Sequence, residues 1–133
     1  MDEHSSSAYM LNTGWVAGPY GVGYRIPLKE NRLSIDAIFN GSLDKGVFET
    51  LPFFNLQIPK AVAGMDPKLL NPRNSWTDKQ AYDLQAARLA QMFINNFKLF
   101  TDTPHGRALV AAGPQLEREI ELPPQPVAVG GGD

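Results

Sequence analysis

The sequence has no cysteine and only two histidines, and its positive and negative charges nearly cancel. The absence of cysteine excludes disulfides, thiolate nucleophiles and cysteine-based zinc sites, and it is typical of proteins from a reducing compartment. A formal net charge of −2 gives no electrostatic reason to expect nucleic acid or an anionic membrane as a partner. No apolar run approaches the ~20 residues that a membrane-spanning helix needs. The composition therefore favours a soluble cytoplasmic protein with neither a nucleic-acid nor a membrane partner.

The length of 133 residues is enough for one domain with a modest core. Residues 1–8 carry no apolar period and are predicted to be a flexible N-terminal arm. The charged, proline-rich and glycine-rich ending predicts a disordered tail over residues 117–133. The folded segment is then expected to span residues 9–116, and the apolar run Ala8–Asn12 predicts a buried strand at its start.

Local patterns predict further elements along the chain. Apolar residues at near-helical spacing predict a helix over about 28–40. The alternating run Phe54–Ile58, bracketed by prolines, predicts a short edge strand. Glycine and prolines over residues 61–75 predict a long ordered loop. We interpret His105, which lies between a proline and a glycine, as a loop residue.

The strongest periodic signal predicts a long helix from Thr77 to about Phe100. Thr77 and Gln80 fit a capping box, in which each side chain accepts or donates across the first helical turn. Residues at steps of three and four form one apolar stripe: Tyr82, Ala86, Leu89, Phe93, Phe97 and Phe100. The polar arc is narrow and holds Gln80, Arg88, Gln91, Asn95 and Lys98. A helix with so wide an apolar arc needs neighbours on most sides, which indicates a larger parent domain or a partner.

A glycine-rich stretch, Gly18–Arg25 (GPYGVGYR), nearly spells a phosphate-binding loop of the form G-x-x-x-x-G-K-[ST]. Gly18 and Gly23 keep the spacing, but Tyr24 stands where the lysine belongs. Glycines at this density also mark turns that need positive φ at Gly18, Gly21 and Gly23. Taken alone, the stretch is a nucleotide site, the remnant of one, or a simple turn.

Seven segments between Leu11 and Leu116 form an ordered set: LNTGW, GPYGVGYRI, DAIFNGSLD, FETLPFFNLQIPK, LNPRNSW, FINNFKLF and ALVAAGP. In this order and at about this spacing, the set resembles the C-terminal end of ATP-dependent phosphoenolpyruvate carboxykinase. The resemblance implies a mixed α/β fold that is part of the family's C-terminal mononucleotide-binding domain, with short strands and a long C-terminal helix.

The resemblance also implies descent from an enzyme of gluconeogenesis, a lyase that converts oxaloacetate and ATP into phosphoenolpyruvate, ADP and carbon dioxide. That family uses magnesium with the nucleotide and a second, manganese-type ion near the substrate. Its phosphate loop, metal ligands and oxaloacetate-binding basic residues have no counterpart in this sequence. Phosphoryl transfer depends on positioned phosphates and metal ions, so we expect no catalytic residue, no metal ligand and no turnover by this chain alone.

In the family, the segment that matches the glycine-rich stretch lines the adenine and ribose end of the ATP site. The resemblance therefore implies five nucleotide-binding residues here: Arg25, Ile26, Asn31, Gly21 and Gly23. Arg25 and Ile26 match the family's adenine-side arginine and its apolar neighbour, and Asn31 replaces a threonine. Tyr24 replaces a family lysine, so a positive charge beside the nucleotide is lost. ATP is the expected ligand, bound weakly or only in an assembled form.

Three functions stay open from the sequence, and whether the chain is itself an enzyme is open with them. It is the terminal piece of a split carboxykinase, a free-standing adenine-nucleotide-binding or protein-interaction module, or a structural subunit or nonfunctional remnant. The expected partner is the missing N-terminal portion of a carboxykinase, or another protein that docks on the Thr77–Phe100 helix.

Overall fold

A computed structural model describes residues 6–118 and has a mixed α+β architecture built from short antiparallel strands and one long helix. The strands form two separate two-stranded ladders, β1 with β2 and β3 with β4. The elements in chain order are β1 (Trp15–Val16), β2 (Tyr24–Arg25), α1 (Leu28–Phe39), β3 (Phe48–Leu51), β4 (Leu56–Pro59), α2 (Pro72–Ser75), α3 (Lys79–Phe97) and α4 (Pro104–Leu109). Single 3-10 turns follow α1, α3 and α4 and precede α2, at Leu43–Lys45, Lys98–Phe100, Val110–Ala112 and Pro67–Leu69.

Helix α1 confirms the predicted helix over 28–40 to within one residue. It ends at Phe39 with Asn40 as its C-cap, and Gly41 follows with φ +72°, a left-handed conformation that favours glycine. One face of the helix packs into a small core of Ala37, Leu43 and Val62. Leu28, Ile35 and Phe39 of α1 are exposed, and Phe39 is 87% exposed.

The β3–β4 hairpin corrects the predicted strand at Phe54–Ile58. The strand begins at Leu56, because a four-residue turn takes up Phe54, and its partner β3 was not predicted. Phe53 and Asn55 in this turn have φ of 69° and 56°, a region that costs a bulky residue roughly 1–2 kcal/mol. Both strands are edges of a two-stranded ladder, as the flanking prolines predicted.

The predicted strand at Ala8–Asn12 is wrong, since these residues form no strand and are exposed. A strand needs a second strand to pair with its backbone, and none of the described residues supplies one. The hydroxyl of Tyr9 donates a hydrogen bond to the Asp44 carboxylate, and this contact raises the pKa of the phenol.

The N-cap of helix α3 lies one residue later than predicted and is a different side chain. Asp78, not Thr77, is the N-cap, and its carboxylate accepts from the backbone N–H groups of Gln80 and Ala81 at 2.9 and 3.0 Å. Both N–H groups donate to the same atom, Asp78 Oδ1, and the negative charge of aspartate suits the helix dipole, so Asp78 takes the capping role predicted for Thr77. The helix ends at Phe97, and the last predicted turn is a 3-10 turn.

The buried face of α3 includes the first two residues of the predicted apolar stripe, Tyr82 and Ala86, but not its later large residues. It consists of Tyr82, Ala86, Ala87, Ala90 and Gln91. Gln91 was assigned to the polar arc, yet it is 3% exposed and its side-chain amide donates to Asn95 Oδ1 at 3.0 Å. Leu89, Phe93 and Phe100 from the predicted stripe are exposed. The described residues therefore cover the start of the stripe and leave these three side chains exposed.

Two predicted loops contain short helices. Residues 61–75 hold the 3-10 turn Pro67–Leu69 and helix α2, each capped by the side chain before its proline. His105, interpreted as a loop residue, lies in the first turn of α4, where Thr103 caps the helix and Pro104 begins it. A proline at the first helical position suits the helix start because its missing N–H would have no partner there.

No helix within residues 6–118 is both long enough and apolar enough to cross a membrane. Most of the predicted arm (residues 1–8) and tail (residues 117–133) lies outside the described residues, and the domain boundaries stay predictions.

Candidate nucleotide site

The glycine-rich stretch forms a hairpin whose two strands bracket a tight turn. Trp15 on β1 lies directly opposite Arg25 on β2. The ladder continues for one more bond, because the backbone N–H of Ile26 donates to Gly14 O at 3.0 Å. The hairpin therefore presents Arg25 from an extended, hydrogen-bonded backbone rather than from a free loop.

The glycines serve the turn of this hairpin. Gly21 has φ +88°, whereas Gly18 and Gly23 do not need positive φ, which corrects the prediction for those two. Gly23 is required for close approach instead, because a Cβ there would lie 2.2 Å from Val16 O. Its N–H donates to Pro19 O at 3.0 Å and closes the turn. In a phosphate-binding loop, backbone N–H groups like that of Gly23 are free to bind the ligand. Here the N–H of Gly23 is already bonded within the chain, so the stretch is a hairpin turn and not a phosphate-binding loop.

One face of the hairpin combines an arginine with aromatic rings. Paired residues of an antiparallel ladder share a face, so the side chains of Trp15 and Arg25 lie on the same side. The ring of Tyr20 meets that of Trp15 edge to face, with centroids 5.0 Å apart. We call Trp15, Tyr20 and Arg25 the arginine face; all three are exposed. A guanidinium plane beside flat rings is suited to stacking on a planar base.

Sequence reasoning missed Trp15 and Tyr20 as members of this face. The signal lies in the hairpin register, which pairs Trp15 with Arg25 across the turn. That register depends on how the turn closes, and the sequence pattern alone left the turn type open.

The other predicted residues do not share the arginine face. Successive side chains of an extended chain point to opposite sides, so Ile26 lies on the side away from Arg25. Asn31 is half-buried in the first turns of α1, and its N–H donates weakly to Pro27 O at 3.4 Å. A base in contact with both Arg25 and Ile26 would have to lie across the edge of the hairpin.

A cavity of about 310 Å³ lies on the opposite side of β2 from Arg25. Tyr24 enters it, and Ser75 ties the wall to the hairpin because its Oγ accepts from the N–H of Ala17 at 3.2 Å. None of the five predicted nucleotide-binding residues lines this cavity, whose walls are Ala17, Tyr24, Asp66, Lys68, Leu69, Asn74, Ser75, Trp76 and Thr77.

Helix α2 and the start of α3 form a rigid corner behind this cavity. The Arg73 guanidinium donates from Nε and Nη2 to the Asp83 carboxylate at 2.7 and 2.9 Å, a bidentate pair that lowers the pKa of Asp83 and raises that of Arg73. Lys79 Nζ donates to three backbone carbonyls, those of Arg73, Asn74 and Trp76. The ring of Trp76 meets Tyr82 edge to face at 5.6 Å, and burial raises the pKa of the Tyr82 phenol.

Two comparisons with known proteins identify the family of this chain. The family model for phosphoenolpyruvate carboxykinase matches residues 1–68, half of the chain. The phosphoenolpyruvate carboxykinase (ATP) of Campylobacter lari is 45% identical over 116 residues, which is 87% of this chain. This chain belongs to the phosphoenolpyruvate carboxykinase family. It spans 22% of the Campylobacter lari enzyme, about one fifth of that relative's length.

The carboxykinase family match includes the whole hairpin, α1 and the β3–β4 ladder. All five predicted nucleotide-binding residues fall inside it, so they belong to the part of the chain that the family model recognises. The later part, with α3 and the C-terminal turns, lies beyond residue 68, and the match to the Campylobacter lari enzyme extends into it because that match covers 87% of the chain.

The residues that the structure describes do not fit the metal ions of a carboxykinase. Within residues 6–118, no three His, Asp or Glu side chains lie close enough together to hold a metal ion. No step of the reaction is therefore derived through a metal held by this chain.

Glu30 is a further polar residue that sequence reasoning missed. Its Oε2 atom is buried on α1 and makes no hydrogen bond to any described residue. A buried carboxylate oxygen is costly without a hydrogen-bond donor, and no described residue donates to this atom.

Proposed function

We propose that this chain supplies the adenine-side wall of the ATP site of a phosphoenolpyruvate carboxykinase and acts only when joined to the remainder of that enzyme. The observation that carries the proposal is the exposed Arg25, held on the hairpin inside the family-matched segment. The parent reaction is the gluconeogenic conversion of oxaloacetate and ATP into phosphoenolpyruvate, ADP and carbon dioxide. A cytoplasmic location belongs to the same proposal and rests on the absence of cysteine.

The chemistry of the arginine face supports recognition of a base rather than of phosphate. The Arg25 plane stacks on a ring, a contact worth ~0.5–2 kcal/mol depending on how far it is desolvated. Trp15, opposite Arg25, extends the flat surface. The amide of Asn31 both donates and accepts hydrogen bonds, which suits the edge of a base or a ribose hydroxyl.

The same residues support the proposal that the chain does not turn over alone. The family's phosphate loop, whose lysine would hold the β- and γ-phosphates, has no counterpart in this sequence, and the N–H of Gly23 that closes the hairpin turn is already bonded. Phosphoryl transfer takes most of its rate from such phosphate and metal contacts. They have to come from the remainder of a carboxykinase.

The test is a chimera in which this chain replaces the matching segment of the Campylobacter lari enzyme. ATP, ADP and AMP are titrated calorimetrically into the chimera and into its Arg25→Ala variant. We expect Arg25→Ala to lower the affinity for all three nucleotides by the same factor, roughly 2- to 30-fold, because the lost contact is with the base that they share.

Arg32→Ala is the matched control, since Arg32 is an exposed arginine on α1 outside the arginine face. It should leave all three affinities unchanged. An effect of Arg25→Ala that grows from AMP to ATP would indicate a phosphate contact and contradict the proposal, as would no effect at all.

A second candidate is a free-standing adenine-nucleotide-binding module, favoured by the cavity at Tyr24. All its described walls come from this chain, two of them aromatic, and its 310 Å³ is at the lower end of the ~300–1,000 Å³ typical of ligand pockets. Calorimetry of the isolated chain with AMP and adenosine tests it. Binding that Trp76→Ala removes supports the module, and no heat at millimolar ligand refutes it.

A further inference from the structure

An open apolar groove of about 790 Å³ lies between the C-terminal half of α3 and the segment that follows α4. We call it the C-terminal groove. Its apolar walls are Phe93, Ile94, Phe97, Leu109, Val110 and Leu116. None of the five predicted nucleotide-binding residues lines it, so the groove is separate from the candidate nucleotide site.

The floor of the groove is held in place by contacts with the β3–β4 turn. The rings of Phe54 and Phe93 meet edge to face, with centroids 6.4 Å apart. The N–H of Gln115 donates to Phe53 O at 2.9 Å, and the Asn55 amide donates to Ala111 O at 3.3 Å. These bonds join the segment after α4 to the β3–β4 turn and set its position beside α3.

The walls of the groove present large apolar side chains to solvent. Phe93 is 53% exposed and Val110 is 48% exposed. Leu89, one turn before Phe93 on α3, is exposed as well and continues the apolar surface along the helix. A contiguous apolar patch of this kind marks an interaction surface in a soluble protein.

Two observations identify what covers the groove. The chain spans only 22% of the Campylobacter lari carboxykinase, so about four-fifths of such an enzyme lies outside it. The charged residues that line the groove are Lys98 and Arg118, both basic. A segment that fits therefore carries apolar side chains flanked by carboxylates.

We propose that the C-terminal groove is the docking surface for the remainder of a phosphoenolpyruvate carboxykinase, on this polypeptide or another, through an apolar segment flanked by acidic residues. This inference rests on the proposed function for the identity of the partner. It goes beyond that function because it assigns the joining surface to α3 and the C-terminal turns rather than to the hairpin at Arg25.

Thiol labelling tests the surface directly, because the chain has no cysteine of its own. Val110→Cys and Leu109→Cys are made in the full 133-residue chain and in the chimera with the Campylobacter lari enzyme. Labelling by a maleimide is followed by mass spectrometry of the modified peptide. We expect both positions to react about tenfold or more slowly in the chimera than in the isolated chain, because a buried thiol is inaccessible.

Lys45→Cys is the matched control, an exposed charged position in a turn that does not line the groove. Its labelling rate should be the same in both proteins. Circular dichroism verifies that each variant is folded. Should the chimera not fold, the same rates are measured after mixing the full chain with a Campylobacter lari enzyme that lacks the matching segment, with the same expectation.

Three results would overturn the inference. Equal labelling of Val110→Cys in the isolated chain and in the covered form means that the remainder does not dock here. Protection in the isolated chain that grows with its concentration means that a second copy is the occupant. Protection that disappears on deletion of residues 119–133 means that the chain's own end is the occupant. The ATP affinity of the chimera is measured independently of thiol labelling. If Arg25→Ala does not weaken ATP binding but Val110→Cys is still protected from the maleimide, only the proposed function is refuted.

Discussion

At the scale of single residues, the Arg73–Asp83 pair sets how the corner responds to pH. The two hydrogen bonds from Arg73 lower the pKa of Asp83 below its ordinary value of 3.8. Because the folded pKa is the lower one, the pair stabilises the fold fully above about pH 5, and this contribution is lost as the pH falls through the folded pKa. We expect the thermal midpoint of the chain to fall over this acid range.

Asp83→Asn tests this assignment, measured by thermal unfolding at a series of pH values. The variant lacks the titrating group and should be less stable near neutrality, with a shallower acid dependence. Parallel pH profiles for the variant and the parent chain would mean that Asp83 contributes no such linkage. The pair is partly exposed, so the effect should also shrink at high salt.

The candidate site illustrates what residues alone can and cannot predict. The resemblance assigned Arg25 and Asn31 to the nucleotide, and the structure puts Arg25 on an exposed hairpin face. The sequence did not predict that Trp15 lies opposite Arg25 or that Ile26 points the other way. Both depend on the register of the ladder, which is decided by turn closure at Gly21 and Gly23.

At the scale of elements, two variants at the start of α3 distinguish Asp78 from Thr77 as the residue that caps the helix. Asp78→Ala removes the acceptor for two first-turn N–H groups and should lower the free energy of unfolding by ~1 kcal/mol. Thr77→Ala, one residue earlier, should change it by less than ~0.5 kcal/mol because its side chain caps nothing. Urea unfolding measures both. A larger loss for Thr77→Ala than for Asp78→Ala would restore the sequence-based cap.

The backbone of the short helix α4 lies very close, at Gly106, to the backbone of the 3-10 turn that follows α3. A Cβ at this position would lie 1.8 Å from Phe100 O, and a backbone carbonyl cannot move aside without shifting the turn. Gly106→Ala should therefore destabilise the chain by ~1–3 kcal/mol, although alanine is the better helix former.

Gly113→Ala is the control for this prediction. Its nearest neighbour would be Val110 O at 3.6 Å, an ordinary contact, and its φ is negative. Urea unfolding should find it within ~0.5 kcal/mol of the parent chain. Equal stability of the Gly106 and Gly113 variants would mean that α4 does not lie this close to the turn.

Elements were predictable where their cause is local. The periodicity and stop signals of α1 and α3 lie within the helices, and both were found to within a few residues. The strand at Ala8–Asn12 was predicted wrongly, because an apolar run becomes a strand only beside another strand. The β3–β4 turn at Phe53 and Asn55 was missed because non-glycine residues rarely adopt its left-handed backbone.

At the scale of the whole molecule, the described residues bury little and expose much. The buried core holds small or medium side chains, and no large one is fully buried. Large apolar residues stay exposed on the hairpin, on α1, on α3 and along the C-terminal groove. This distribution is the one expected if the chain docks on the remainder of a carboxykinase as proposed, and the chain spans about one fifth of the Campylobacter lari relative.

The central claim is that this chain contributes the base side of a carboxykinase site and none of the equipment for moving a phosphate. The most direct measurement is the formation of phosphoenolpyruvate from oxaloacetate and ATP, assayed for the purified chain alone and for the chimera with the Campylobacter lari enzyme. We predict turnover by the chimera and none by the chain alone. Phosphoenolpyruvate formed by the purified 133-residue chain at a rate above the enzyme-free control would contradict the account.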